Sequence, residues 1–553
     1  MTQARNSKIT LRFTGVSARG GPLTLGQADM LAWILGETEQ TNVFARWDIP
    51  RGTGLETVER ALVHLLTRHE SLRTTYRLGP EPMQVVAGAG ELTVDVCEGS
   101  GETAAFADSL AISLVATPFD LTGGLPLRVT LVTASGAPAH LVVVVSHAAA
   151  DMASLALLGT EWAALLAGEP LPAPAPLQPV DLAAIERSAQ GQRRTASAAR
   201  HWEAQLRAGP QCMFAVPGVR GDCTEQSLLL VRSRPAAVAV AEAAARTRAS
   251  RSTVVLAAMC ALTSHYTAQP RCLVTSVTAN RFGAELARFV GPLSSDALLA
   301  VDAAVPTFDD LVRRVHQRAM FAYARAGDVT TLASVIDRVG LDRGTWYARD
   351  CEFNDHTMFS TEGFSALPPA GPGDEVQLTW LPGQALAARL TVWLTRLDSL
   401  LEIGLWADPA ALPADDAECF GAGLVRLAEA AAGQAVPMAE LGALTGLRPV
   451  SRGPTWVRAD TNWVDLDAVR RLVADALPGM PACVEAVPDD LLGHRVVCHI
   501  VGDITPGAAH DACMAALPGR PTAVAPHRYI VLGTPPHRGT PMVLMRQERP
   551  RTA

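Results

Sequence analysis

The chain has 553 residues, 48% hydrophobic and 18% charged, enough apolar surface for more than one compact core and a balance unlike that of disordered or fibrous sequences. Its formal net charge of −8 is spread without a basic stripe, so no nucleic-acid partner is expected. The ten cysteines include no CxxC pair and no Cys/His cluster at metal-ligand spacing, which argues against structural zinc, and Lys8 is the sole lysine, which excludes any Schiff-base chemistry outside Lys8.

The opening MTQARNSKIT lacks an apolar leader core, and no apolar run approaches a membrane span; the expectation is a reduced, cytoplasmic, soluble protein with no membrane partner. Ile9, Leu11 and Phe13 alternate as in a strand, and Thr24 leads a helix through LTLGQADMLAWIL. Leu55, Val58, Leu62, Leu65 and Leu66 share one face of a second helix. LRTTYR, LPLRVTLVTA and HLVVVVSH read as strands, giving a layered α/β pattern.

Residues 167–182 are Pro-rich and read as a surface linker. Beyond them a helix around HWEAQL, a strand at SLLLVRS, two helices through Ala236–Tyr266 and a strand at CLVTSVT repeat the first alternation. After about residue 435 the chain loosens into GALTGLRPVSRGPTW, and a small α/β segment runs from Trp463 to about Met545. The domain boundaries expected are 1–175, 176–440 and 455–553.

The stretch that carries chemistry is LVVVVSHAAADMASLALLGTEWAALL, residues 141–166. Its apolar run reads as a buried strand, and Ser154–Leu166 as a helix burying Leu155, Leu158 and Trp162. His147 therefore sits where strand gives way to helix, a place from which side chains face clefts. Taken alone, His147 reads as a loop histidine and Asp151 as a helix cap on the Ser154 amide.

In register, however, Ser146, His147, Ala148–Ala150, Asp151 and Met152 resemble the motif of nonribosomal peptide synthetase condensation domains: two histidines, three variable residues, Asp and Gly. LTLGQADM, RHESLRTTY, FDLTGGLPLRVTL, VTANR and VGPLSSDALL follow in the family's order, and CEFNDHTMF resembles its segment bridging two lobes. The resemblance covers roughly residues 20–435. It implies an α/β fold of two chloramphenicol-acetyltransferase-like lobes in a V-shaped pseudo-dimer, plus a small C-terminal α/β domain.

The resemblance makes His147 the catalytic residue, with Asp151 paired to Arg281 of VTANR as structural support and Ser146 in the place of the first, structural histidine. Met152, standing for glycine, Ser295, standing for asparagine, and Asn354 are expected to line the tunnel; Arg73 is either tunnel-shaping or structural. The implied activity joins a carrier-bound acyl thioester, on the phosphopantetheine arm of a carrier protein supplied in trans, to an amine acceptor. No cofactor is expected on the chain itself. A soluble small amine is favoured, as in the lincosamide-type synthetases that join carrier-bound proline derivatives to an amino sugar. The rivals are a non-catalytic docking module and an acyltransferase using acyl-coenzyme A.

Residues 463–545 resemble the small C-terminal subdomain of adenylation enzymes, but where that subdomain carries a lysine after the glycine of its PP-x-x-G stretch, Gly539 is followed by Thr540. No glycine loop of the Walker type appears, so adenylation in cis is not expected. Asp398-Ser399-Leu400 lacks the context of a phosphopantetheine attachment site and reads as structural.

Overall fold

The computed structural model describes residues 7–15, 18–36, 42–221, 223, 225–327, 329–358, 371, 373 and 375–532. They fall into two units, one formed by residues 7–209, 223–336 and 349–450 and the other by residues 210–221, 337–348 and 451–532.

The first unit holds two α/β lobes. In the first lobe, a five-stranded sheet runs in the order Ser7–Thr14, Ala89–Glu98, Leu127–Ala134, Ala137–Ser146, Asn42–Asp48. Only the pairing of Ala89–Glu98 with Leu127–Ala134 is parallel. The valine run is explained by burial on both faces. Leu141, Val143 and Val145 join the core built with helices Leu55–Arg68 and Met152–Ala167, while Val142 and Val144 pack against Ala107 and Ala111 of helix Thr103–Val115.

Helix Leu25–Leu35 starts as its sequence predicts: Thr24 accepts from the Gln27 amide while the Gln27 side chain accepts from the Thr24 amide. Helix Pro179–Arg187 begins inside the stretch read as a linker, with Gln178 at its N-cap. It belongs with the first lobe, because Arg19 makes paired hydrogen bonds to Asp181 at 2.6 and 2.8 Å and Glu186 accepts from the Leu25 amide. Proline at the first helical position is well placed there, so a Pro-rich composition did not exclude a helix.

The second lobe is a seven-stranded sheet in the order Ser295–Asp302, Arg271–Thr278, Cys351–Asp355, Leu390–Leu397, Leu401–Ala407, Glu225–Ser233, Gln377–Ala385. CEFNDHTMF, expected as a bridge, contributes Cys351–Asp355 to the middle of this sheet, parallel to both neighbours, and Phe359 lies outside the described residues. Asp398 and Ser399 form the turn of a hairpin, where the Arg396 guanidinium and the Ser399 and Leu400 amides hold Asp398 at about 2.

The second unit contains the hairpin Trp456–Ala459 and Asn462–Asp465, helices Leu466–Ala476 and Pro506–Ala516, and a three-stranded sheet of Ala482–Asp489, Gly493–Val501 and Arg528–Leu532. Residues 210–221 and 337–348, expected in the second lobe, belong here. The Gln211 amide donates to Asn462 Oδ1 at 2.7 Å, the Gln211 side chain donates to the Ala523 carbonyl at 2.6 Å, and the Trp346 amide donates to Gln211 Oε1 at 2.9 Å. These are long-range pairings that local sequence does not carry. Gly539, Thr540 and the PP-x-x-G stretch lie outside the described residues. Among the described residues no helix is long and apolar enough to cross a membrane.

The two lobes approach closely at Gly26, where an added Cβ would lie 2.2 Å from the Pro292 carbonyl oxygen. Alanine is the better helix former by about 1 kcal/mol, yet Gly26→Ala is expected to lower stability by about 1–3 kcal/mol because backbone must move to admit the methyl. Urea unfolding measures this; an unchanged or higher midpoint would show that the lobes do not need this contact.

Candidate active site

The strand Ala137–Ser146 ends and helix Met152–Ala167 begins across a five-residue connection, whose alanines are held through their backbone and whose last residue, Asp151, is held through its side chain. Ser146 Oγ accepts from the Ala148 amide at 3.3 Å, and the Ser146 carbonyl accepts from the Ala149 amide at 2.8 Å. Buried Tyr76 donates its hydroxyl to the Ala148 carbonyl at 2.7 Å, and buried Ser71 donates to the Ala149 carbonyl at 2.5 Å. Three alanines fit here because each is fully buried, leaving His147 as the connection's one large side chain.

His147 is half-buried, and its Nδ1 is buried with no other described residue bonding it. Burial pushes the imidazole below its ordinary value, against the pull of the Asp151 and Asp29 carboxylates, so the ring is neutral at physiological pH. With Nδ1 buried, the ring can meet an incoming amine only through Nε2, where a neutral imidazole accepts a proton or a hydrogen bond.

Asp151 faces the other way. It is buried, caps its helix by accepting from the Ser154 amide at 2.9 Å, and receives two hydrogen bonds from Arg281 at 2.6 and 2.8 Å. The Leu293 and Ser294 amides complete the shell at 3.0 and 3.2 Å. Burial alone would raise this carboxyl, but the Arg281 charge and these donors outweigh it and hold Asp151 at about 2. Ser154 Oγ reinforces the junction, accepting from the Gly291 amide at 3.0 Å and lying 3.0 Å from the Gly291 carbonyl. The first lobe thus supplies an anion and the second a guanidinium and a row of amides.

The other expected residues are divided. Ser295 is buried beside this junction, donating to the Leu293 carbonyl at 3.1 Å and accepting from Asn280 at 3.3 Å. Met152 opens its helix and packs, partly buried, against the first-lobe core. Asn354 stands in the second-lobe sheet opposite Val277 and Trp393. Arg73 is buried within the first lobe, donating to the Ala87 carbonyl at 2.5 Å. Sequence reasoning missed Ser71 and Tyr76, although both lie in the RHESLRTTY stretch it singled out, and it missed Ser294 and Gly291 within VGPLSSDALL.

A family described as Condensation domain matches residues 22–330. Among curated proteins, a linear gramicidin synthase of Brevibacillus parabrevis is 32% identical over 317 residues, 53% of this chain; the match spans only 4% of that protein's length. Among solved structures, the condensation domain from the Monacolin K polyketide synthase MokA aligns with TM-score 0.61 and 17% identity over 76% of this chain and 99% of that one. SgcC5 from Streptomyces globisporus, solved with a naphthyl ethanediol and sucrose, aligns with TM-score 0.57 and 18% identity over 75% of this chain and 100% of that one. These likenesses show the fold: two chloramphenicol-acetyltransferase-like lobes with a further domain.

Removing the Asp151 charge strands Arg281, so Asp151→Asn is expected to cost about 3–5 kcal/mol at neutral pH. Because the folded carboxyl sits at about 2, below its unfolded range, its contribution is complete above about pH 4 and is lost as pH falls toward the folded value. Urea unfolding of both proteins should therefore show a gap that narrows only on acidification below about pH 4. A gap independent of pH would contradict the assignment.

Proposed function

The chain belongs to the condensation-domain family, and from that premise we propose that it forms an amide between a carrier-bound acyl thioester and a small soluble amine in natural-product biosynthesis. The observation that carries the proposal is His147: an imidazole whose pKa burial lowers, at the turn from strand to helix, on a loop fixed by the Asp151–Arg281 pair.

The acyl donor rides on the phosphopantetheine arm of a carrier protein acting in trans. The amine nitrogen attacks the thioester carbon, the C–N bond forms and the C–S bond breaks. The proton given up by the amine passes to His147 and ends on the departing sulfur. Asp151, Arg281 and Ser146 take no part in these transfers; they hold the loop. Met152, Ser295 and Asn354 shape the path to the histidine. The positioned encounter of the two substrates supplies much of the acceleration.

A free rather than carrier-bound acceptor draws support from the likeness between 75% of this chain and all of SgcC5, whose structure contains a small diol; that molecule is an alcohol, so the amine rests on the family reading alone. The C-terminal unit, in this reading a degenerate adenylation-type subdomain, serves carrier docking and not adenylation. A second reading, a non-catalytic docking module, draws on Ser146 and Met152, which depart from the family's motif.

Mass-spectrometric turnover of acyl-loaded carrier protein with a panel of amines separates these readings. Amide should form with the native chain and fall by about 100-fold or more in His147→Ala, the range of a lost general base. A coenzyme A thioester should be a poor donor. Tight carrier binding without any amide would establish the docking module instead.

The same assay over pH checks the state of His147. Since burial lowers its pKa, the acid limb of the rate profile should fall below the ordinary imidazole value of about 6.5. A limb above that value would contradict a desolvated, neutral imidazole.

A further inference from the structure

Asp29 is not accounted for by the lobe junction or by the histidine loop. It lies on helix Leu25–Leu35, whose start is rigid by virtue of its capping box and whose Gly26 is seated against the Pro292 carbonyl of the second lobe. One turn on, Asp29 Oδ1 accepts from the Thr330 hydroxyl of the second lobe at 2.7 Å. Oδ2 has no hydrogen bond or ion pair among the described residues.

The helix carrying Asp29 is packed directly against the histidine loop. Met30 and Leu31 form one buried cluster with Tyr76 and Ala148, the residue that follows His147. The guanidinium in this region, that of Arg349, is committed elsewhere: it binds Asp296 at 2.6 and 2.8 Å and also pairs with Glu352. Asp29 is thus a half-buried carboxylate on a helix packed against the histidine loop, with one oxygen unbonded and no cation paired to it among the described residues. Its field reaches His147, and burial together with Asp296 raises its own pKa. A partly desolvated carboxylate gains most from a cation that arrives with the substrate.

We propose that Asp29 is the acceptor-recognition residue of this site, its Oδ2 receiving the ammonium of a cationic amine and orienting it toward His147. The proposal rests on the amide-forming reading for its acceptor, and it makes the acceptor class specific: amines protonated at neutral pH, held as cations until one proton passes to water, the second going through His147 to the departing sulfur as the C–N bond forms.

The test uses two amines of similar shape, cyclohexylamine, which is cationic at neutral pH, and aniline, which is neutral. Calorimetry of the full chain should show that Asp29→Asn weakens cyclohexylamine binding about ten-fold or more, the worth of a charge-assisted hydrogen bond, and leaves aniline unchanged. In turnover, Asp29→Asn should raise KM for cyclohexylamine with kcat little altered, and leave the values for aniline in place. Equal loss for both amines, native-like binding by Asp29→Asn, or no cyclohexylamine binding by the native chain overturns the proposal. Charge-selective binding lost in Asp29→Asn, without amide from the native chain, refutes the amide-forming reading and leaves the recognition role standing.

Discussion

The structure turns on one buried charge. Asp151 is 1% exposed, and a carboxylate taken out of water without partners costs several kcal/mol, more than any single contact in its neighbourhood returns. That cost is offset only when the Arg281 guanidinium and the amides of Leu293 and Ser294 arrive from the second lobe. Neither lobe satisfies it alone. The helix that starts at Asp151 and the junction of the lobes therefore share one carboxylate, which fixes the end of the strand-to-helix loop.

From that constraint the character of His147 follows. Its loop is pinned from one side by Tyr76 and Ser71, which hold backbone carbonyls, and from the other by the helix cap. The imidazole itself is left without a rigid partner among the described residues, and burial keeps it neutral. A histidine bonded tightly to Asp151 would be charged and turned away; here the carboxylate is bound to Arg281, and the two residues of the motif do separate work. The same division explains why serine is tolerated at position 146, where the side chain accepts a backbone amide and stays inside the fold.

Much of the fold was legible because local signals agreed with one another. The valine run, the Thr24 cap and the apolar face of Leu55–Arg68 each pointed to the element observed. The Asp151–Arg281 pair was expected from resemblance and is present at hydrogen-bond distance, though nothing in the spacing of 130 residues would have disclosed it. What was missed is non-local. Residues 210–221 and 337–348 read as ordinary parts of the second lobe, because Gln211 reveals its attachment through partners 135, 251 and 310 positions away. Helix Pro179–Arg187 was hidden by its own proline-rich approach, and Asp29 sits unremarked in a mostly apolar helix until Thr330 is seen across from it.

The most direct test of this account is a double-mutant cycle on Asp151 and Arg281, using Asp151→Asn, Arg281→Met and the double variant, read both in unfolding free energy and in the rate of amide formation. If the pair locks the lobes and thereby places His147, the two changes will be strongly non-additive in both readouts, with a coupling of about 1–3 kcal/mol and the double variant less impaired than the sum of the single ones. Additive effects, or coupling in stability with the rate unchanged in every variant, would mean that the buried pair does not position the histidine.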